Sequence, residues 1–355
     1  MEYNNQTQGR MNPSSGEITT SKSLRSMQHH IDAQNMQQYI EERLETELAE
    51  ARKAANIKSG FYNLDLWTDI GPGMYVVGAI SSLGKTTFVH QMCDQMAQDG
   101  AHVIYFNLEQ TMLEMVTKSL AREIVKVNGT ENAVSAYEIR KNEVDERVRS
   151  AITKYAEYAQ RITIAQCSFD TIVDDILLYV RQYIAENECK PIVVVDYLQV
   201  IQNADTHQST RDAVDENVRA LKQLQCDYNL VMIVISALNR ANYMSVVDYE
   251  SFKESGGIEY TADVLWGLQL EVLRDKVFET ATTNKRRELV KEAKAAIPRR
   301  IELVCVKNRP GISGYSCHFD YYPNADYFMP RLTTEDYSIM EKRGNSDDLK
   351  GELPF

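Results

Sequence analysis

Residues 74–97 join an apolar run to a helical pattern through Gly78-Ala-Ile-Ser-Ser-Leu-Gly-Lys-Thr-Thr87, and few folds accommodate that junction. Met74-Tyr-Val-Val-Gly78 is short, apolar and β-rich, which predicts a buried strand. Thr87-Phe-Val-His-Gln-Met-Cys-Asp-Gln-Met-Ala97 follows with helical spacing. A strand, a loop of small residues, Lys-Thr and a helix together aim backbone N–H groups and a helix N-terminus at a polyphosphate. The core is Ala79-x-x-x-x-Gly84-Lys85-Thr86, with Ala79 where the common pattern has Gly and with Gly78 just before it. Ala79, Ser81, Ser82, Leu83, Gly84, Lys85, Thr86 and Thr87 are expected to cradle the phosphates of ATP. Lys85 would reach the β- and γ-phosphates, and the Thr86 hydroxyl would ligate Mg²⁺. An ordinary turn before a helix would not require both flanks.

From about 56 to 332 the pattern alternates strands and helices. Strands are expected at 74–78, 102–107, 161–165, 191–196, 230–236, 263–270, 301–306 and 315–320. Helices are expected at 86–98, 110–127, 142–159, 170–187 and 211–227. Ile192-Val-Val-Val-Asp196 and Val231-Met-Ile-Val-Ile-Ser236 are apolar nearly throughout. Continuous apolar strands between helices imply an α/β fold whose mostly parallel sheet is covered on both faces. Residues 1–22 are polar with little to bury and are expected to be disordered. Over 23–55, Met36, Ile40, Leu44, Leu48 and Ala51 recur at helical steps among charged residues. This narrow stripe packs either on its own domain or, as a swapped arm, on a neighbouring subunit. The charged stretch 276–300 reads as a solvated surface helix or a nucleic-acid contact, and 333–355 reads as an acidic flexible tail.

The 355 residues suffice for one large domain or two small ones. No apolar run approaches the ~18 residues a membrane span requires, and the N-terminus carries no apolar secretory core. Six cysteines without CxxC spacing read as reduced thiols of a cytoplasmic protein, and Cys317-His318 as structural. The net charge of −12 excludes coating duplex DNA through bulk charge but leaves room for a narrow, locally basic channel.

Other residues extend the chemistry. Asp196 ends an apolar strand, where an ATPase of this class places the carboxylate that supports Mg²⁺. Gln199, three residues on, is placed to sense the γ-phosphate. Glu109 ends the run His102-Val-Ile-Tyr-Phe-Asn-Leu108. It reads either as the carboxylate that orients the attacking water or as a cap for the next helix. Lys307-Asn-Arg309 follows a late strand and precedes Pro310-Gly311, which puts two cations on a hairpin. There they read as solvated surface charge or as cations reaching a neighbour's phosphate.

Taken in order, Gly78–Phe88, Asn107-Leu-Glu-Gln110, Val193-Val-Val-Asp-Tyr-Leu-Gln199, Ile235-Ser-Ala-Leu-Asn-Arg240, Phe252-Lys-Glu-Ser-Gly-Gly-Ile-Glu259 with Ala262-Asp263, and Val306-Lys-Asn-Arg-Pro-Gly311 resemble the RecA-like motor domain of DnaB-family replicative helicases. The resemblance covers about 56–320. It implies a hexameric ring that hydrolyses nucleotide at subunit interfaces and moves along single-stranded DNA. By motif position Lys85, Thr86 and Asp196 hold phosphate and Mg²⁺, Glu109 is the catalytic carboxylate, Gln199 is the sensor, and Lys307 and Arg309 act in trans. The loop at Lys253, Ser255 and Gly256 resembles the family's DNA-gripping loop, assisted by Arg240. Backbone N–H groups near glycines plus a Lys suit sequence-independent phosphate contact.

Three departures limit the resemblance. The stretch before the motor is expected to be too short for the family's N-terminal helical domain. Ala237 stands where the family usually has Gln, and the insert at 276–300 precedes the finger strand. ATPase activity is therefore implied more firmly than unwinding. The alternatives are a DNA-stimulated ATPase of loader or recombinase type, and a nucleotide-gated adaptor. Gly351-Glu-Leu-Pro-Phe355 resembles the acidic tip of bacterial single-stranded-DNA-binding proteins. It reads as a recruiter of replisome proteins or as a tail without a role.

Overall fold

The computed structural model describes residues 35–54, 57–168, 170–201, 210–239, 243–252 and 256–343. They fall into two compact units that divide after Arg52. The first holds α1 (Met36–Glu42) and most of α2 (Leu44–Ala54), which break at Arg43. The Asn35 side chain caps α1 by accepting from the Gln37 N–H at 2.9 Å. The expected helical arm is thus helical from Met36 onward, and 23–34 lie outside the described residues, as do 1–22. Met36, Ile40 and Leu48 of its apolar stripe are 64%, 57% and 45% exposed.

The second unit opens with α3 (Tyr62–Asp65), β1 (Gly73–Ala79), α4 (Lys85–Gln98), β2 (Val103–Asn107), α5 (Met112–Asn128), α6 (Ala136–Lys141), α7 (Glu146–Ala159) and β3 (Ile162–Gln166). It continues with α8 (Val173–Asn187), β4 (Ile192–Asp196), α9 (Thr210–Tyr228), β5 (Val231–Ala237), α10 (Gly256–Thr261) and β6 (Val264–Leu270). It closes with α11 (Lys276–Thr280), α12 (Thr283–Ala295), β7 (Arg299–Asn308), β8 (Ser316–Tyr322), β9 (Tyr327–Arg331) and α13 (Thr334–Arg343).

The nine strands form one sheet in the order β3-β2-β4-β5-β1-β6-β7-β8-β9. β1 to β6 are parallel, and β7 to β9 join antiparallel. β1, β2, β4 and β6 are buried at every residue. A parallel strand without polar alternation needs cover on both faces, and the crossover helices supply it. β8 instead alternates half-buried and buried residues, as an antiparallel strand with one wet face does.

All eight expected strands are present. The sequence reading missed β9, whose Pro330 breaks a strand pattern. Pro is tolerated there because β9 is the last strand of the sheet. The helix expected from 142 begins at Glu146, because the Asp145 side chain accepts from the Val148 N–H at 3.0 Å and sets the N-cap. Residues 334–343, grouped with the acidic tail in the sequence reading, form α13. Trp67 Nε1 donates to the buried Asp336 Oδ1 at 2.8 Å and ties that helix to the body. Residues 344–355, including Glu-Leu-Pro-Phe355, lie outside the described residues. The charged insert forms α11 and α12, where no α12 residue is buried although Leu289, Val290 and Ala293 pack on the core. Among the described residues no helix is long and apolar enough to cross a membrane, and all six cysteines are free thiols.

Candidate nucleotide site

Parallel strands share one carboxyl end, and that end is where an open α/β sheet binds ligands. In register, Asn107 at the end of β2 lies beside Asp196 of β4, and Ala79 of β1 lies beside Ala237 of β5 and Leu268 of β6. The loop from Ile80 to Gly84 therefore emerges in the middle of this end.

Two residues of the loop adopt positive φ, Ser82 at 67° and Gly84 at 89°. A Cβ on Gly84 would sit 3.0 Å from Tyr321 and 3.1 Å from Phe328, so both backbone and space require glycine. Leu83 is buried and anchors the loop, whereas Ser81 and Ser82 are exposed. Gly84 is also the N-cap of α4 and offers no side-chain hydrogen bond, which leaves the first N–H groups of a fourteen-residue helix for an anion. Lys85 Nζ lies 5.2 Å from the centre of the Tyr197 ring.

Thr86 Oγ1 donates to Asp196 Oδ1 at 3.3 Å, and Tyr105 OH donates to Asp196 Oδ2 at 2.8 Å. Burial pushes the Asp196 carboxyl above its ordinary range, opposed by these two hydrogen bonds and the Lys85 charge and reinforced by Glu109. A hydroxyl and a carboxylate held this close are hard oxygen donors of the kind Mg²⁺ takes. The donor chemistry fits that ion, which Thr86 and Asp196 would hold. Glu109 is exposed in the bend after β2, where its N–H donates to Asn107 Oδ1 at 3.3 Å. It lies close enough for its charge to act on Asp196 and Tyr197. The Gln199 side chain binds the end of β5, donating to Ser236 Oγ at 2.9 Å and accepting from the Ala237 N–H at 3.4 Å. Lys85, Thr86, Asp196 and Glu109 thus gather at one end of the sheet, with Gln199 linking β4 to β5 beside them.

Lys307 and Arg309 do not join them. β7 runs antiparallel to β6, and Asn308 pairs with Val264, at the amino end of β6 and hence beside the start of β1. Val264 is level with Tyr75, so the stretch Tyr75–Ala79 at about 3.3 Å per residue, roughly 16 Å, separates that level from the phosphate loop. Lys307 Nζ donates to the carbonyls of Glu259 at 2.6 Å and Ala262 at 2.7 Å. Arg309 donates from Nη2 to the Tyr260 carbonyl at 2.6 Å and pairs through Nη1 with Asp263 Oδ1 at 3.2 Å. Partial burial pushes the Asp263 carboxyl up, but hydrogen bonds from Lys222 and Met74, the Lys222 charge and Arg309 outweigh it and hold it below the usual range. Of the residues expected to grip DNA, Gly256 opens α10, while Arg240, Lys253 and Ser255 lie outside the described residues.

Several residues at the phosphate end were not foreseen. Arg299 Nη1 donates to the Ser82 carbonyl at 2.7 Å, and its guanidinium lies 5.6 Å from the centre of the Tyr321 ring. Tyr321 in turn stacks on Phe328 at 4.2 Å. Thr87 Oγ1 donates to Asp326 Oδ1 at 3.2 Å, so its hydroxyl is engaged within the fold. Gln91 binds both the N–H and the carbonyl of Phe328, at 2.7 and 2.9 Å. The β8–β9 hairpin is thereby stapled to the helix that carries the loop. The Arg-Arg pair at 299–300 was the one local signal, and it reads as surface charge next to a charged insert.

A family model, DnaB-like helicase C terminal domain, matches residues 56–329. A "Replicative DNA helicase DnaB" from Leifsonia xyli subsp. xyli is 28% identical over 229 residues, 62% of this chain and 48% of that protein. The Helicobacter pylori (strain J99) protein of the same name is 24% identical over 260 residues, 71% of this chain and 51% of its own. The chain spans about half the length of these curated relatives. A solved structure titled "The Structure Of A DnaB-Like Replicative Helicase And Its Interactions With Primase" superposes with a TM-score of 0.64 at 20% identity, over 84% of this chain and 67% of that one. A solved ATPase domain superposes with a TM-score of 0.66 at 21% identity, over 85% of this chain and all of that domain. At these identities the structural likeness establishes the RecA-like fold. With the matched model spanning most of its length, the chain belongs to the DnaB-like helicase C-terminal domain family.

Proposed function

We propose that the chain is the motor of a ring-forming, ATP-dependent helicase that moves along single-stranded DNA in replication. One observation carries the reading: the phosphate loop and the two hairpin cations lie at opposite ends of one sheet. A chain cannot bring both to the same nucleotide. A head-to-tail neighbour can, because a heterologous interface sets one face of a subunit against the opposite face of the next, and such contacts close into rings. Six subunits would give the hexamer of the family.

In that ring Lys85 and the loop N–H groups bind the phosphates, and Thr86 and Asp196 hold Mg²⁺. When bound, the ion would supply positive charge against the phosphates. Glu109 orients and deprotonates the attacking water. Lys307 and Arg309 of the neighbour stabilise the charge that develops on the transferring phosphoryl group. Gln199 registers the γ-phosphate and passes its state to Ser236 and Ala237 at the end of β5, which Arg240 and the DNA loop of Lys253, Ser255 and Gly256 follow in the sequence. The net charge of −12 means that DNA is held by this local loop rather than by the surface field.

A second reading, a DNA-stimulated ATPase that does not separate strands, is favoured by Ala237. Its side chain brings no polar group to the end of β5, and its N–H is taken by Gln199. The ATPase rate with and without single-stranded DNA, measured beside unwinding of a forked duplex, separates the two. Stimulation with unwinding is expected. Stimulation alone selects the second reading, and a rate indifferent to DNA contradicts both.

A further inference from the structure

Arg309 is half exposed, and a long side chain at the edge of a sheet loses its aim unless something fixes it. Here the fixing group is Asp263. Its backbone carbonyl accepts the Arg309 N–H at 2.9 Å, and its Oδ1 accepts from Arg309 Nη1 at 3.2 Å. The carboxylate is itself pinned. Oδ2 accepts from Lys222 Nζ at 2.5 Å, on α9, and from the Met74 N–H at 2.8 Å, in β1. The Tyr260 carbonyl takes a second Arg309 N–H, and a guanidinium has five. The planar fork is therefore held on one side, with donors left to present.

We propose that Asp263 is the positioning residue for the cation a subunit lends to its neighbour, and that β1 is the strut joining the two half-sites of one chain. The inference rests on the trans role of Arg309 proposed above. β1 carries the phosphate loop at its carboxyl end and, through Met74 near its amino end, anchors Asp263. A shift of β1 on filling or emptying its own loop moves the carboxylate that aims Arg309 at the next subunit's phosphate. Neighbouring sites are thus linked through six residues of extended chain, Met74 to Ala79. Asp263 touches no reacting atom, and its contribution is geometric.

Asp263→Asn keeps the size and an oxygen for the Met74 N–H but removes the charge that holds Arg309. Measured on the full-length chain with single-stranded DNA, kcat should fall by about ten- to a hundredfold, the larger figure being what a 1 Å misplacement can cost. KM for ATP should stay within about twofold and the ring mass should not change. A structural fault in β1 would spoil nucleotide binding as well. Mixing separates the two further. Asp263→Asn brings a sound loop and Lys85→Ala a sound finger, so mixed rings should exceed the summed rates of the separate variants. If Asp263→Asn turns over at the wild-type rate while Arg309→Ala is inactive, Asp263 does not position the finger and the trans reading stands. If Arg309→Ala itself keeps full turnover, both fall. If Asp263→Asn loses ATP binding or ring assembly and gains nothing on mixing, its role is structural and the proposal is overturned.

Discussion

At the scale of single residues the site divides into groups that bind, groups that react and groups that aim. Lys85 and Thr86 bind, so Lys85→Ala should abolish turnover, as a phosphate rate assay would read. Glu109 is exposed beside the buried Thr86–Asp196 pair. Its loss should slow hydrolysis with little cost in affinity. Glu109→Gln should bind a fluorescent ATP analogue with near wild-type affinity and hydrolyse ATP at least about 100-fold more slowly, the scale of a lost general base. Normal turnover would remove Glu109 from the reaction, and the cap of the next helix is not its role, since Thr111 Oγ1 accepts from the Glu114 N–H at 3.2 Å there. Most of these residues were legible because their chemistry is local in sequence: a glycine at positive φ before Lys-Thr, and a carboxylate ending an apolar strand. Arg299 and Asp326 were not. Each acts on the loop or its helix from more than 200 residues away, and nothing in a run of surface charge marks which cation turns inward.

At the scale of elements, β4 and β5 declared themselves, since a strand covered on both faces must be apolar throughout. β9 did not, because an edge strand tolerates Pro330. The tail boundary failed for a related reason. Asp336 reads as tail acidity until Trp67, far away in sequence, supplies its partner. The arm is a case where the sequence pattern was clear but its partner was not. Met36, Ile40 and Leu48 form an exposed stripe, and a face of this kind gains on the order of 25 cal/mol per Å² when it packs. Packing on its own domain and packing on a neighbouring subunit, the two readings of the stripe, differ in what truncation does, and the second makes the following prediction. Removing residues 1–52 should lower the mass seen by sedimentation toward that of single chains at low micromolar concentration. An unchanged ring would leave the arm without a role in assembly.

At the scale of the whole molecule, the loop helix α4, α5 and the β8–β9 hairpin meet in a buried polar cluster. Arg122 pairs with Asp94 at 2.7 Å, both about 2% exposed or less, and also donates to His90 Nδ1 at 3.1 Å and to the Asp326 carbonyl at 3.3 Å. Removing one partner strands a buried charge, so Arg122→Met should destabilise the fold by about 3–5 kcal/mol in urea denaturation. Burial, with the Arg122 and Lys118 charges, keeps the His90 imidazole well below its ordinary 6.5, hence neutral in the fold. The unfolded chain takes up a proton below 6.5 that the fold refuses. Stability should therefore drop as pH falls past that value, by about 1.4 kcal/mol per pH unit, and His90→Gln should remove that slope.

The central claim is that each chain owns half of two sites. Lys85→Ala lacks a working loop and keeps its finger; Arg309→Ala lacks the finger and keeps its loop. Each alone should be close to inactive. In an equal mixture allowed to exchange subunits, about one interface in four joins a sound loop to a sound finger, since a head-to-tail ring pairs unlike faces. ATPase activity should reappear at a comparable fraction of the wild-type rate. A mixture no more active than its components, or an Arg309→Ala chain that is active by itself, would contradict a site shared between subunits.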